Sequence, residues 1–362
     1  MSRRAEVGCS AEAVAALPSF AARQSSEIDF YASREWYECL NEAAAVDRTG
    51  EVLFLVADRE AAPSAFLPLL LLPRSRRYFF ARAAVSRTLS YSTWYGPTMA
   101  GTTDDIQGVA QALGQTLGMQ APADVVHLDC LDGDSAVPSA LAEGLADADY
   151  AVTMYDHFEN WYERIEEGFD AYWQARSSQL RNTVRRKHNR LQRTGEVVFE
   201  LLSDPGEAER ALAAYQSVYS DSWKETEPHP GFIPALIRRG IAAGAVYVGL
   251  LSLDGEVIAA QIWVVSNRRA TIFKLAYRDH AKSHSPGSLL TWWTFKTLCE
   301  RIGLSEVDFG RGGDAFKRDW LPRMRLRKGL IACRPRSPGG LAAAARHIWL
   351  PNLLRRVRGP DA

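Results

Sequence analysis

Residues 245–295 read AVYVGLLSLDGEVIAAQIWVVSNRRATIFKLAYRDHAKSHSPGSLLTWWTF. Their first part holds three runs rich in Val, Ile, Leu and aromatics, the composition of strands. Asp254-Gly255 and Asn267-Arg268 separate the runs, and Asp-Gly between two apolar runs is a strong hairpin signal. The third run ends in Ser283-His284-Ser285-Pro286-Gly287-Ser288, after which bulky residues follow a helical rhythm to about Ile302. Pro and Gly in a polar loop stop one element and start the next. The first-turn N–H groups of a helix have no intrahelical acceptor, so such a start also suits an anion. Two compatible readings stay open. Ser283, His284, Ser285, Gly287 and Ser288 surround a phosphate, or Ser285 merely caps the helix with Pro286 at its first position.

Working outward, "SEVDF" supplies a further strand after that helix. Upstream lie the strand "VVFELL", a helix from Pro205 to about Tyr219 and another within "GFIPALIRRGIAAG". Phe169, Trp173, Leu180, Val184 and Leu191 share one face at helical spacing, which predicts a single long helix stopped by Gly195. Nearer the N-terminus, "EVLFLVAD", "AFLPLLLL", "RTLSYST" and "VVHLDCLD" read as strands, with a helix at "DDIQGVAQALGQTL". The expected organisation is a mixed α/β domain over 1–150, a second over 151–333, and a basic tail over 334–362 that is a loosely docked helix or partly disordered.

Composition supports this. The 362 residues are 47% hydrophobic and 24% charged, a globular balance with length for about two domains. Formal net charge is zero, yet residues 1–170 hold 12 Lys/Arg against 26 Asp/Glu, and residues 171–362 hold 31 against 17. The halves are therefore −14 and +14, and the basic half is the candidate for an anionic ligand or partner. No run reaches the ~18 apolar residues of a membrane span, and the first twenty residues do not read as a signal peptide. The five cysteines (Cys9, Cys39, Cys130, Cys299, Cys333) are scattered without metal spacing, so a reduced, cytoplasmic setting and no metal are expected. GxSxG, GxxxxGK[ST], HExxH and a strand-borne GxGxxG are all absent from the sequence.

Several stretches carry a resemblance: "RNTVRRKHNRLQRTG", "DGEVIAAQIWVV", "FKLAYRDHAKSHSPGSLLT" and "VDFGRGGDAFKRDW". Over about residues 160–322 the chain resembles the GNAT acyltransferases of the CelD type, relatives of the FemABX peptidyltransferases. The resemblance implies an α/β (α+β) fold of tandem GNAT-like domains, each a mixed, largely antiparallel sheet flanked by helices. It also implies an acyl-CoA donor bound near Lys274 and the Ser283–Ser288 loop. One departure matters, because the usual pyrophosphate loop has more than the single Gly287 present here. Acyl carrier protein and aminoacyl-tRNA therefore stand beside acyl-CoA as donors.

The chemistry falls on few residues. Acyl transfer to an amine needs a base and donors for the developing oxyanion. In "RGGDAFKRDW", Asp314 or the preceding Asp308 is the candidate base, and Lys317 or a backbone N–H stabilises the oxyanion. Arg311 and Trp320 complete that cluster, which read blandly is a surface ion-pair loop. Trp223 and Lys224 line an acceptor cleft or anchor a loop. Tyr277 protonates a leaving thiolate or belongs to the core. Residues 171–195 hold seven Lys/Arg and no acid, so Arg181, Arg185 and Arg186 face solvent or meet an anionic substrate, the acidic half, or an acidic carrier protein. Arg176 and Lys187 fall near the apolar seam and need partners. RNA is the weaker partner, since only Tyr172 and Trp173 offer stacking nearby. The expected activity is transfer from a thioester donor to the amine of a small molecule, sugar precursor or peptide, without a covalent enzyme intermediate. FemX-like transfer from tRNA, or a non-catalytic binding module in polysaccharide synthesis, are the alternatives.

Overall fold

The computed structural model describes residues 2–8, 14–15, 17–21, 28–44, 51–59, 62–99, 106–121, 123–351 and 353. Cys9, the first residues of "DDIQGVAQALGQTL" and the last of the basic tail lie outside the described residues.

In chain order the strands are β1 (Ser2–Gly8), β2 (Glu51–Arg59), β3 (Ala62–Leu72), β4 (Ala83–Ser86), β5 (Thr98–Met99), β6 (Val125–Asp132), β7 (Ala151–Arg164), β8 (Val197–Leu202), β9 (Val246–Leu253), β10 (Glu256–Ser266), β11 (Arg269–Tyr277), β12 (Glu306–Arg311) and β13 (Arg323–Cys333). The helices are α1 (Arg34–Ala44), α2 (Ile106–Gln120), α3 (Val137–Asp147), α4 (Gly168–Gln174), α5 (Ser178–Gln192), α6 (Ala208–Ser220), α7 (Phe232–Ala242), α8 (Pro286–Ile302), α9 (Ala315–Trp320) and α10 (Pro338–Ala344). The strands form one mixed sheet in the order β1-β2-β3-β4-β6-β13-β7-β12-β11-β10-β9-β8, with β5 beside β3. Helices flank it, and its core divides into apolar clusters, one of which joins Phe30, Trp36 and Leu40 to Phe232, Leu236 and Val248 across the two halves.

The two halves repeat one device. In each, an antiparallel meander leads through a helix to a strand parallel to the meander's last member. That is β4 and β6 in the first half and β11 and β12 in the second. The strand that follows then crosses over. β7 leaves the first half to pair with β12, while β13 leaves the second to pair with β6, and the two pair antiparallel with each other. Each half thus completes the sheet of the other.

Three local expectations are corrected. "RTLSYST" (87–93) is a loop after the short β4, because the Leu89 N–H turns back to Ser92 Oγ at 3.0 Å and the Ser92 N–H to the Leu89 carbonyl. Such local bonds compete with a ladder. The long helix divides into α4 and α5, since extended Ser177 caps a new start by accepting the Leu180 N–H. Strands β7 and β13 are absent from the sequence reading, because Tyr, His, Glu and Arg alternate along them where periodicity looks for apolar residues. Beyond Arg334 the chain forms α10 and a π-helical turn (Ala345–Trp349), with Ala343, Ala344 and Ile348 buried against Tyr78, Ala81 and Cys333. Among the described residues no helix is long and apolar enough to cross a membrane.

Candidate active site

β11 and β12 are hydrogen-bonded at Arg269–Glu306, Ala270–Val307 and Thr271–Asp308, and then part. Irregularities on both strands mark the parting. On β11, the register against β10 skips Phe273, a bulge that re-aims the strand. On β12, the register against β7 slips between Asp308 and Arg311, where Gly310 takes a positive φ of 69°. A cavity of about 720 Å³ fills the opening. Its walls are Ile272 to Tyr277 of β11, Phe309 to Arg311 of β12, the start of α8, the loop bearing Trp223 and Lys224, and α9 with its cap Asp314. The corresponding gap between β4 and β6 is occupied by the protein's own chain. There the Tyr95 N–H donates to the Cys130 carbonyl at 3.0 Å and the Tyr95 hydroxyl to the Pro68 carbonyl at 2.7 Å. The same loop sends Ser90, Tyr91 and Thr93 across to line the open cavity.

Cations dominate that lining. Lys317 is held by Asp314, which caps α9 by accepting the Lys317 N–H at 3.1 Å. Its ammonium donates to the carbonyls of Arg311 and Gly312 and stands 3.6 Å from the Asp314 carboxylate. Burial nonetheless lowers its pKa. Lys274 donates to Glu227 at 2.8 Å and lies 3.9 Å from the centre of the Tyr91 ring. The Tyr91 hydroxyl donates to the same carboxylate at 2.5 Å. Burial pushes Glu227 upward, but the hydrogen bonds from Lys274 and Tyr91 outweigh it and leave a lowered pKa. Lys224 forms no ion pair among the described residues, although the Glu227 carboxylate opposes the fall in its pKa. Burial, with Lys274 and Lys317 nearby, brings it down to about 8. Its ammonium sits 5.7 Å from the Trp223 ring, which packs on Tyr277 with centroids 4.2 Å apart.

At α8, Ser285 occupies the N-cap position in the left-handed region (φ 55°) but its side chain makes no cap bond. The bland reading of this loop thus loses its hydroxyl cap, and Ser285, Gly287 and Ser288 all line the cavity. A Cβ on Gly287 would lie 3.3 Å from Leu275 and 3.4 Å from Tyr277, so close helix–strand packing is what this glycine serves.

Ten of the residues singled out from sequence meet here: Asp314, Lys317, Tyr277, Lys274, Ser285, Gly287, Ser288, Trp223, Lys224 and Arg311. Arg311 also donates to the Ser90 carbonyl at 3.1 Å and covers the Phe158 ring, stapling the two halves. Asp308 does not line the cavity. It is 1% exposed, accepts the Gly310 N–H at 2.7 Å, and pairs with Arg325 at 3.1 Å. Trp320 is buried against Trp173, Phe309 and Phe316, and its carbonyl accepts from Tyr172 and Arg176. Ser283 is exposed with its carbonyl taken by Lys187 at 2.7 Å, and His284 keeps a buried Nδ1 without a partner. Arg181, Arg185 and Arg186 lie on α5, outside the cavity. Arg176 finds the partner its position required, Glu163 at 3.3 Å.

Tyr91, Glu227, Lys282 and the Ser90–Thr93 loop are site residues that sequence reasoning missed. Glu227 stands three residues after Lys224 in a stretch already marked for the acceptor cleft, which was a usable signal. Tyr91 had none, since it arrives from the other half of the chain. Among the described residues no group of three His, Cys, Asp or Glu is arranged to hold a metal.

Residues 178–318 match the family model of an acetyltransferase (GNAT) domain. No curated protein matches the chain. Among solved structures, FemX aligns with a TM-score of 0.58 at 11% identity, covering 91% of this chain and 97% of that one. The C-terminal domain of a putative lysylphosphatidylglycerol synthetase from Agrobacterium fabrum aligns at 0.54 with 17% identity, covering 92% and 95%. A conserved protein of unknown function from Bacteroides thetaiotaomicron VPI-5482 aligns at 0.53 with 12% identity, covering 91% and 98%. At these identities the likeness is one of fold, a mixed α/β architecture spanning nearly the whole chain, while the GNAT match is to residues 178–318.

Proposed function

We propose that this chain is an N-acyltransferase of the CelD-like kind, moving an acyl group from a thioester to an amine in the gap between β11 and β12. The observation that carries the reading is the gap itself: a parallel pair that opens into a lysine-lined cavity, inside the segment matching a GNAT domain. The uncapped start of α8, with Lys282 beside it, suits the donor's phosphate. The acyl carbonyl then reaches Lys317, whose ammonium sits where negative charge develops on the oxygen. Attack by the acceptor nitrogen forms the C–N bond, and the nitrogen gives its proton to Lys224. Collapse breaks the C–S bond, and the departing thiolate takes a proton from Tyr277 or from the Lys224 ammonium. Asp308, a candidate base from sequence, is given no proton-transfer role here, because both of its oxygens are engaged away from the cavity.

Lys224 gives the reading a pH signature. Burial disfavours its cation, so its base form grows as pH rises through about 8. Initial rates measured from pH 6.5 to 9.5 should rise through that value, and Lys224→Met should lower the rate and abolish the rise. An unchanged profile in Lys224→Met would remove Lys224 as the base. The same shift makes the unfolded chain bind the proton more tightly, so stability rises between about 8 and 10.5.

A second reading keeps the site and changes the donor to an aminoacyl ester on RNA. The packing role of Gly287 favours it, since that glycine is explained without a pyrophosphate. Thermal shift with CoA, acetyl-CoA and a long-chain acyl-CoA separates the two. The thioester reading expects stabilisation of about 2.7 kcal/mol at a hundredfold excess over Kd, lost in Gly287→Glu. No shift with any of the three would end the CoA form of the proposal.

A further inference from the structure

The cations of residues 171–195 divide into two sets. Arg176 turns to Glu163 and Lys187 to the Ser283 carbonyl. Arg181, Arg185, Arg186, Arg190 and Arg193 pair with no carboxylate among the described residues, and all but the half-buried Arg181 are exposed. Some exposed arginines elsewhere are paired, as Arg210 with Glu200 and Glu207, Arg238 with Glu209, Arg239 with Glu38 and Glu42, and Arg336 with Asp149. Others, such as Arg164 and Arg301, are exposed without a carboxylate among the described residues, but they stand singly and not in a row. Acids and bases are equal in number over the chain, so the bare row is not a shortage of carboxylates. Repulsion at i,i+4 spacing, as between Arg181 and Arg185 or Arg186 and Arg190, costs such a helix about 0.2–0.5 kcal/mol per pair. A negative partner would reverse that cost.

The row also has an address. Lys187 ties α5 to the loop before α8, beside Lys282 and Ser285 at the cavity. On these two touching elements, Arg181 Nε and His284 Nδ1 are buried polar atoms without hydrogen-bond partners. A donor whose acyl end enters the cavity leaves its bulk outside, against α5.

We propose that the arginine face of α5 docks the acidic body of a carrier protein, which delivers its acyl thioester into the cavity on a flexible arm. This rests on the thioester reading above. Charge distribution favours a compact acidic protein over RNA. The row runs along one helix and its C-cap, roughly 22 Å, on a chain of zero net charge whose first 170 residues carry −14. A nucleic acid carries a charge at every phosphate over tens of ångströms, more than five arginines on one helix can match. The face also lacks a stacking platform, because His188 is packed against Phe199 and Trp292.

The test uses the full chain with octanoyl-loaded acyl carrier protein, free octanoyl-CoA and an RNA duplex as probes, read by fluorescence anisotropy and calorimetry. The loaded carrier should bind, and bind less tightly as salt rises. Arg190→Glu with Arg193→Glu should weaken the carrier about tenfold or more while octanoyl-CoA binds as before. The neutral pair Arg190→Gln with Arg193→Gln should fall between, and a carrier with acidic residues changed to Lys should regain affinity for the reversed helix. Equal carrier binding by wild type and the Glu variant overturns the docking surface. So does tighter binding of the RNA duplex, or a wild type that binds octanoyl-CoA but not the loaded carrier. If neither octanoyl-CoA nor the loaded carrier binds wild type, the thioester reading itself falls.

Discussion

Lys317→Met should lower kcat/KM for acyl transfer by about 10²–10³-fold, the loss seen when one preorganised oxyanion donor is removed. The preorganisation is specific. Asp314 fixes the start of α9, and the carbonyls of Arg311 and Gly312 hold the ammonium with its side chain only 14% exposed. Little reorganisation is then needed when the substrate oxygen turns negative. Methionine keeps the stem's volume and loses the charge, so melting temperature should move little while the rate collapses. A variant that melts early yet turns over normally would make Lys317 a structural cation.

Asp308→Asn should give the opposite pattern. The carboxylate is buried and accepts from Gly310 and Arg325, and Arg325 also binds Glu306 at 2.7 Å and Asn160 at 2.7 Å. Of its cationic neighbours, Arg327 is buried and Arg269 is half-buried beside Asp29. Neutralising the carboxylate in this nest leaves excess positive charge without water to screen it. Breaking a buried pair from one side costs about 3–5 kcal/mol, and urea unfolding should register a loss of that order. The folded fraction should keep the wild-type pH–rate profile. A changed profile with unchanged stability would restore Asp308 as a base.

These contrasts show what was legible in the sequence. The β9–β11 meander, the Pro286 start of α8 and the strand at Glu306 were readable because each is local: a turn dipeptide, a proline, a run of β-branched residues. The stretches that carry the resemblance include Lys274 and Lys317, while Trp223 and Lys224 came from a separate reading of their own loop. β7 and β13 stayed hidden because they pair in the middle of the sheet through charged and aromatic side chains, with Arg325 over Tyr162 and Lys328 on Asp156. Asp308 and Lys317 look alike in a linear string, both being charged residues near a strand end. Only the bulge at Gly310 and the cap at Asp314 decide that one is sealed inside and the other faces ligand. Tyr91 was beyond reach for a different reason, since it serves a site built almost wholly from residues more than a hundred positions downstream.

The crossing of β7 and β13 bears on how the chain is made. β6 and β7 are neighbours in sequence and run parallel, but the place between them belongs to β13. A ribosome delivers β6 and β7 about 170 residues before it delivers the strand that joins them, roughly ten to thirty seconds at ordinary elongation rates. Through that interval two long edges wait with open hydrogen-bonding groups, the condition under which strands find wrong partners. Charged residues on the two strands, Glu159 and Glu163 on β7 and Asp129 and Asp132 on β6, are the kind that keep a waiting edge in solution. Stability in the finished sheet and solubility in the unfinished one are served by the same side chains.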